Sequence, residues 1–434
     1  MPETLTLQTT WGRDPLPAAG DGQLAYLLLD VAAAGSLEVA ATLPLNLTLV
    51  LDHSGSMGGP KLQHLKEAVT RVIDTLGEQD TLSIVVFDEH AKVLAPAGPV
   101  ADKEGLKAAI NGLREAGGTA MSSGLKAGLD EVRRALHEGT VSRILLLTDG
   151  QTWGDAEECE RLAQEAGQAG IPISAFGVGA DEDWSVSLLD KVAAHSNGQS
   201  DYIADPANMV QSFRGTVQSM QNTAVKGAVL ALQLAAGVTV RNFYRITPML
   251  GRVKPSADSG TVELPMGDVQ RDQAATVLAE LLVPPRRPGQ YRIARAVVRG
   301  GSSEVPVEGT SEDVLLTFEL DARTPGNPRV MNLVEKATAF KLQTRALEEA
   351  EVGNTVAASK NLRSAATRLL NLGETDLAAA AESEAARLEE RGQMSAAGTK
   401  KLTFATRKLA VDDVAAAATP TAAEPAPAAT APEG

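Results

Sequence analysis

The chain has 434 residues, enough for two to four domains of roughly 100–200 residues each, and 44% of them are hydrophobic, as a packed core requires. Its formal net charge of −15 argues against wrapping nucleic acid or lying on an anionic membrane, both of which favour basic surfaces. One cysteine, Cys159, excludes an intramolecular disulfide and fits a reducing compartment.

The first residues, MPETLTLQTTW, carry neither a basic nor an apolar leader segment, and no run approaches the ~20 apolar residues of a membrane helix. A cytoplasmic location is the expectation. Within 1–44, residues 3–10 and 22–33 read as strands, expected to belong to a β-sandwich completed later in the chain. Residues 45–222 then alternate strand and helix. LNLTLVLD (45–52) is a short apolar run, as for a strand buried on both faces. Its Asn46-Leu47-Thr48 matches a glycosylation sequon by chance, since the run is expected to be buried. A helix begins near Pro60, with Leu62, Leu65, Val69, Val72 and Leu76 on one stripe. TLSIVVFD (81–88) is a strand, 92–95 a short edge strand, and Met121, Leu125, Leu129, Val132 and Leu136 mark a helix. SRILLLTD (142–149) is a third buried strand. Helices over 156–169, 185–195 and 207–222 alternate with strands over 172–179 and 199–203. This order implies a mostly parallel sheet covered on both faces.

Residues 223–322 change character: strand patterns punctuated by Gly and Pro suggest a β-sandwich. Residues 329–410 turn helical, with stripes at Leu333, Ala337, Phe340, Thr344 and Leu347 and at Ala358, Leu362, Ala365, Leu369 and Leu372. Gly353, Gly373 and Gly392 are placed as helix-terminating glycines, so three or four short antiparallel helices are expected. The Ala/Pro-rich tail, 411–434, has too little bulky apolar surface to pack and reads as disordered. The fold class is therefore α/β, Rossmann-like and doubly wound, combined with a β-sandwich and a C-terminal helical bundle.

The chemistry concentrates in LVLDHSGSMGG (49–59). Asp52, Ser54 and Ser56 leave the end of a buried strand at alternate positions, among glycines that let the backbone turn. Gly117-Gly118-Thr119 precedes a helix, with Thr119 at an N-cap-like position, and Thr148-Asp149-Gly150 ends the next buried strand. All three loops open on the carboxyl edge of the sheet, where open α/β sheets build ligand sites. Their oxygens suit a hard cation: Mg²⁺ favours near-octahedral oxygen coordination, and Mn²⁺ obeys the same logic. Asp88, ending a strand on that edge, is a candidate partner contact or a solvated carboxylate. Trp153 is a surface anchor for a partner or packs over its own loop.

Asp52-His53-Ser54-Gly55-Ser56-Met57 resembles the DxSGSM signature of von Willebrand factor A (VWA) domains. Thr119 and Asp149 match the Thr and Asp of that family's metal ion-dependent adhesion site (MIDAS). The resemblance covers about 45–222 and extends to Phe176-Gly177-Val178-Gly179, Leu188-Leu189 and Ala193. It implies a complete MIDAS, with Asp52 acting partly through water. The wider architecture resembles bacterial cytosolic VWA proteins and the chloride channel-accessory and inter-alpha-inhibitor group, through Leu264-Pro265-Met266-Gly267-Asp268 and the strands after it.

The function expected is that of a non-enzymatic, metal-dependent protein-binding or adaptor protein whose Mg²⁺ coordinates an Asp or Glu of a protein partner. An adaptor for an AAA+ ATPase is an alternative, as many bacterial VWA proteins resemble; the chain has no phosphate loop of its own. A Mg²⁺-dependent hydrolase is the rival class, against which stands the lack of an obvious general base or nucleophile beside the site.

Overall fold

A computed structural model describes residues 4–18, 20–34, 43–137, 139–150, 152, 154–179, 185–258, 260–301, 306–307 and 309–410. The tail expected over 411–434 and Trp153 lie outside the described residues.

The α/β layer is a six-stranded sheet in the order Ala91–Pro99, Thr81–Phe87, Leu45–Asp52, Val141–Thr148, Ile173–Val178, Gln199–Ile203. All neighbours pair in parallel except Ala91–Pro99, which runs antiparallel at the edge. That edge strand is longer than the sequence suggests and runs through Pro96, which an edge tolerates because one side of the strand lacks a ladder. Every residue of Leu45–Asp52 is buried, because helices cover both faces. Leu65, Val69 and Val72 of Pro60–Thr75 pack on one face with Phe213 and Val217 of Met209–Gln221. Leu125, Leu129, Leu162 and Val192, from Met121–Arg134, Ala156–Gln168 and Val186–His195, pack on the other. Cys159 sits fully buried in this second cluster, and burial raises its thiol pKa. Asn46 is fully buried, with its amide donating to the Val132 carbonyl.

Two further sheets face each other as a sandwich. One has the order Thr4–Trp11, Gln23–Ala34, Ala275–Val283, Thr239–Arg245, Gly251–Val253. The other runs Ser256–Asp258, Thr261–Gln270, Thr223–Leu234, Gly289–Gly301, Ser311–Glu319, Leu16–Pro17. Leu27 and Leu29 from the first meet Leu230, Leu232, Ala296 and Leu316 from the second. The chain thus lays down strands before the α/β layer and completes the sandwich after it.

Four helices follow: Pro328–Glu351, Thr355–Asn371, Thr375–Arg391 and Ala396–Lys408. Gly353, Gly373 and Gly392 end three of them with φ of 79°, 82° and 72°, the left-handed region that an L side chain avoids. The first helix serves two cores. Leu333, Ala337 and Phe340 pack on Leu28, Tyr244 and Leu278 of the five-stranded sheet, while Ala339 and Ala346 face the other helices. The last helix returns to the α/β layer. Its Phe404 joins the core beneath Val186–His195, with its ring 5.8 Å from that of Tyr202. Arg407 donates to Asp190 and Ser200, and Lys408 pairs with Asp201 at 2.8 Å. Among the described residues no helix is long and apolar enough to cross a membrane.

Phe404 is only 2% exposed, so its truncation leaves a cavity between the last helix and the α/β layer. Phe404→Ala is expected to cost about 3–5 kcal/mol, read as a lowered urea midpoint. An unchanged midpoint would show that this helix is not docked in solution.

Candidate metal centre

The three loops meet at the carboxyl edge of the six-stranded sheet. Asp52 is the last residue of its strand and is fully buried. Its Oδ1 accepts the Ser54 N–H at 2.8 Å, and its Oδ2 accepts the Thr148 hydroxyl at 2.6 Å. Burial raises the Asp52 pKa above the ordinary carboxylate value; hydrogen bonds from Ser54 and Thr148 oppose the rise, and the neighbouring Asp149 adds to it. Asp52 is thus anchored to both strands, and Ser54 and Ser56 project from the short helical turn Gly55–Met57 and its entry.

Ser54 Oγ lies 3.1 Å from Ser56 Oγ, and Ser56 Oγ donates to Asp149 Oδ1 at 2.7 Å. Asp149 is 1% exposed. The second loop is tied to the first by two backbone bonds, Gly55 N–H to the Gly117 carbonyl at 3.2 Å and Ala116 N–H to the His53 carbonyl at 2.9 Å. Gly117 has φ of 53°, and a Cβ there would stand 3.1 Å from Asp88 Cγ. Thr119 completes the set. A methyl built on Gly150 would sit 3.3 Å from Thr119 Oγ1 and 3.8 Å from Ser56 Oγ, so both hydroxyls face the Asp149-Gly150 turn.

Thr119 is not the helix cap. The helix starts at Met121 with Ala120 at the N-cap. The Met121 and Ser122 N–H groups bond instead to Thr152 Oγ1 at 3.2 Å and Asp155 Oδ2 at 2.8 Å. The Thr119 hydroxyl is therefore not spent on capping, which is what a site on this edge requires.

The donor set can be tested against a divalent cation. Adjacent ligands of an octahedral shell with bonds of ~2.1 Å stand about 3.0 Å apart, close to the Ser54–Ser56 and Ser56–Asp149 separations. All donors are oxygens, and among the described residues no three His, Cys, Asp or Glu side chains cluster as metal ligands. The fit is therefore to a hard ion held by mixed hydroxyls and carboxylates, not to a soft transition metal.

Asp88 and His53 stand behind this set. Asp88 Oδ1 accepts the His90 N–H at 2.9 Å and its carbonyl accepts the Ala120 N–H, so it braces the Thr119 loop. His53 Nδ1 pairs with the Arg114 carbonyl at 2.9 Å. The residue that pattern reading missed is Lys61. Its Nζ donates to Asp149 Oδ2 at 2.6 Å and to the Ser56 carbonyl at 3.3 Å. A signal for it existed. A lysine in the first turn of a helix opposes the macrodipole and calls for an anion nearby.

Residues 46–220 match the von Willebrand factor type A domain, and residues 328–412 match the Sll0103-like, C-terminal alpha-helical domain. A Synechocystis protein, uncharacterized protein sll0103, is 33% identical over 261 residues, covering 59% of this chain and 61% of that protein. Human inter-alpha-trypsin inhibitor heavy chain H4 is 30% identical over 202 residues, 43% of this chain and 22% of that protein. The chain thus spans less than two thirds of either relative. In structure, the von Willebrand factor type A protein from Catenulispora acidiphila superposes with a TM-score of 0.75 at 19% identity, covering 94% of this chain and 97% of that one. That likeness extends the shared fold to the sandwich and the helices. The chain therefore carries a von Willebrand factor type A domain, followed by an Sll0103-like C-terminal helical domain.

Proposed function

We propose that this chain is a non-enzymatic binding protein. Asp52, Ser54, Ser56, Thr119 and Asp149 hold a divalent cation, Mg²⁺ or alternatively Mn²⁺, which takes a carboxylate from a protein partner. The observation that carries this reading is the all-oxygen set from three loops, two of them linked by contacts of 3.1 and 2.7 Å along Ser54, Ser56 and Asp149, with the Thr119 hydroxyl facing the same turn. VWA domains commonly bind a metal at the MIDAS, and VWA homologues mediate protein–protein interactions. Two carboxylates at most balance the ion's charge, so it stays electrophilic toward an external acid. Asp52 positions the first loop, while the hydroxyls of Ser54, Ser56 and Thr119 supply neutral ligands. The AAA+ adaptor role is one form of this reading, and metal-dependent capture of such an ATPase would specify it.

The Gly150 position gives a direct test. Gly150→Ala keeps an ordinary backbone angle but crowds the Thr119 hydroxyl, 3.3 Å from the added methyl. Its circular dichroism should match the wild type, while calorimetric titration shows Mg²⁺ bound at least about tenfold more weakly, the scale of one charge-assisted contact. Thr119→Val should do the same. Equal Mg²⁺ affinity in both variants would place the metal elsewhere. Pull-downs should lose the partner when a chelator is added.

Lys61 supports a second expectation. It is the cation that Asp149 has in the absence of metal, with side-chain exposures of 16% and 0% for the pair. Lys61→Met leaves a buried carboxylate without its counter-charge. It should lower metal-free stability by about 2 kcal/mol, below the 3–5 typical of a fully buried pair because Lys61 is partly solvated. Mg²⁺ should restore most of that loss and bind more tightly than to the wild type, read as a larger metal-induced rise in melting temperature. A smaller rise in Lys61→Met would mean that the lysine assists the metal instead of competing with it.

A further inference from the structure

At the opposite end of the α/β layer, where its strands begin, a cavity of about 620 Å³ separates the sheet from the β-sandwich. That volume falls in the range of small-molecule sites. One wall carries Arg143, near the start of Val141–Thr148; the other carries Arg245, the last residue of Thr239–Arg245. Two guanidiniums from separate layers thus line one space. The carboxylate facing them is Asp268, and it is poorly placed for both. It stands 3.6 Å from Arg143, beyond hydrogen-bond distance, while its Oδ1 accepts the Gly227 N–H at 3.1 Å. Among the described residues Arg245 has no side-chain hydrogen bond or ion pair, and the buried Arg143 Nε has no partner.

Burial lowers the pKa of both guanidiniums from the ordinary arginine value. Asp268 partly offsets this at Arg143, and no neighbouring charge offsets it at Arg245. Three helix carboxyl ends also open on the cavity, and their partial charges favour cations. Their last turns, however, are closed locally: the Leu136, Gly170 and Asn197 N–H groups bond to the carbonyls of Arg133, Gly167 and Ala194. Two guanidiniums in a confined space that Lys226 also lines, with Asp268 bonded to the Gly227 N–H, are poised to accept an oxyanion, since a charge-assisted pair recovers the desolvation already incurred. Val229, Pro248 and Met266 give the sandwich side an apolar patch, set among polar lining residues that include Gln270 and Gln273.

We propose that this interlayer cavity is a binding site for a small amphiphilic organic anion, its carboxylate or phosphate held between Arg143 and Arg245 and its apolar body against the sandwich wall. The site is separate from the metal-bearing edge and does not rest on the reading given to that edge.

Anilinonaphthalene sulfonate, an apolar body with one oxyanion, is the probe. Fluorescence titration of the full chain should show one saturable site, displaced by octanoate if a carboxylate is preferred and by octyl phosphate if a phosphate is. Arg245→Met should weaken the probe about tenfold or more while leaving neutral phenylnaphthylamine binding unchanged. Asp268→Asn keeps an acceptor for Gly227 and removes the competing charge, so it should tighten the probe several-fold; this arm stands even where Arg245→Met fails to fold. The proposal is overturned by absence of saturable binding, by displacement with neither alkyl anion, by an unchanged affinity in a folded Arg245→Met, or by an unchanged or weaker affinity in Asp268→Asn.

Discussion

Two carboxylates that water barely reaches, Asp52 and Asp149, share one edge of a sheet whose buried residues are otherwise apolar or uncharged. Burying like charges together is costly unless each is hydrogen-bonded or paired, and the surrounding structure supplies those partners one by one. Strand register does the first part. Leu51 pairs with Leu147, which brings Asp52 beside Thr148 at the end of the next strand. A slip of one residue would turn the alternating side chains to the opposite faces and take Asp52 away from the Thr148 hydroxyl. The loops do the second part, with Ser54 N–H, Ser56 Oγ and Lys61 Nζ each meeting a carboxylate oxygen. The carboxyl edge is therefore organised around negative charge before any ligand is considered.

How much of this the sequence discloses depends on whether a residue acts within its own element or across elements. The buried strands were legible because Leu49-Val50-Leu51 and Ile144-Leu145-Leu146-Leu147 are unbroken apolar runs, as a sheet covered on both faces permits, while Asn46 and Thr48 alternate with leucines and are buried on partners from other elements. The glycines after three helices were legible because a left-handed terminus is a local requirement. Asp52, Ser54 and Ser56 were legible as a set from their spacing beside glycines. Thr119 was placed on the right loop but in the wrong capping role, because Thr152 and Asp155, from another loop, supply the cap. Lys61 escaped for the same reason: its partner lies 88 residues away. On the first C-terminal helix the stripe through Leu333, Ala337 and Phe340 is only part of the buried surface, because that helix answers to two cores, Leu28 and Tyr244 on one face and the helical bundle, through Ala339 and Ala346, on another. Phe404 carries no mark of the core it enters, since an apolar residue on a short helix states burial without naming the neighbour.

The order of the chain also fixes how the layers are held. Strands Thr4–Trp11 and Gln23–Ala34 precede the α/β layer, and Thr223–Leu234 onward follow it. Both chain connections of the layer therefore run into the same sandwich. Two connections limit how far the layer can swing, and the last helix adds a third restraint through Phe404, Arg407 and Lys408. Arg407 bonds to Asp190 and Ser200 at once, so the docking is directional as well as apolar. The carboxyl edge with Asp52 and Asp149 is left at the opposite end of the strands from the sandwich, since Arg143 at the start of its strand meets Asp268 while Asp149 lies past the strand's far end.

That separation bears on whether the two ends can influence each other. Arg143 and Asp149 are six residues apart on one extended segment, about 20 Å at ~3.3 Å per residue. At that separation two unit charges interact by less than about 1 kcal/mol at an effective dielectric of ~20. A change of charge at one end therefore does little to the other through the field. Mechanical transmission along the strand is no easier, because Val141–Thr148 is fixed by parallel neighbours on both sides and offers no second arrangement. The interface between the sheet and the sandwich is the softer element. It holds a cavity and a long ion pair, Arg143–Asp268 at 3.6 Å. Coupling between the ends would have to run through a rigid-body shift of the sandwich that also moves the last helix on Asp190, because the Arg407 side chain holds Asp190 while the Arg407 carbonyl accepts the Leu250 N–H, beside strand Gly251–Val253 of the sandwich, at 2.9 Å.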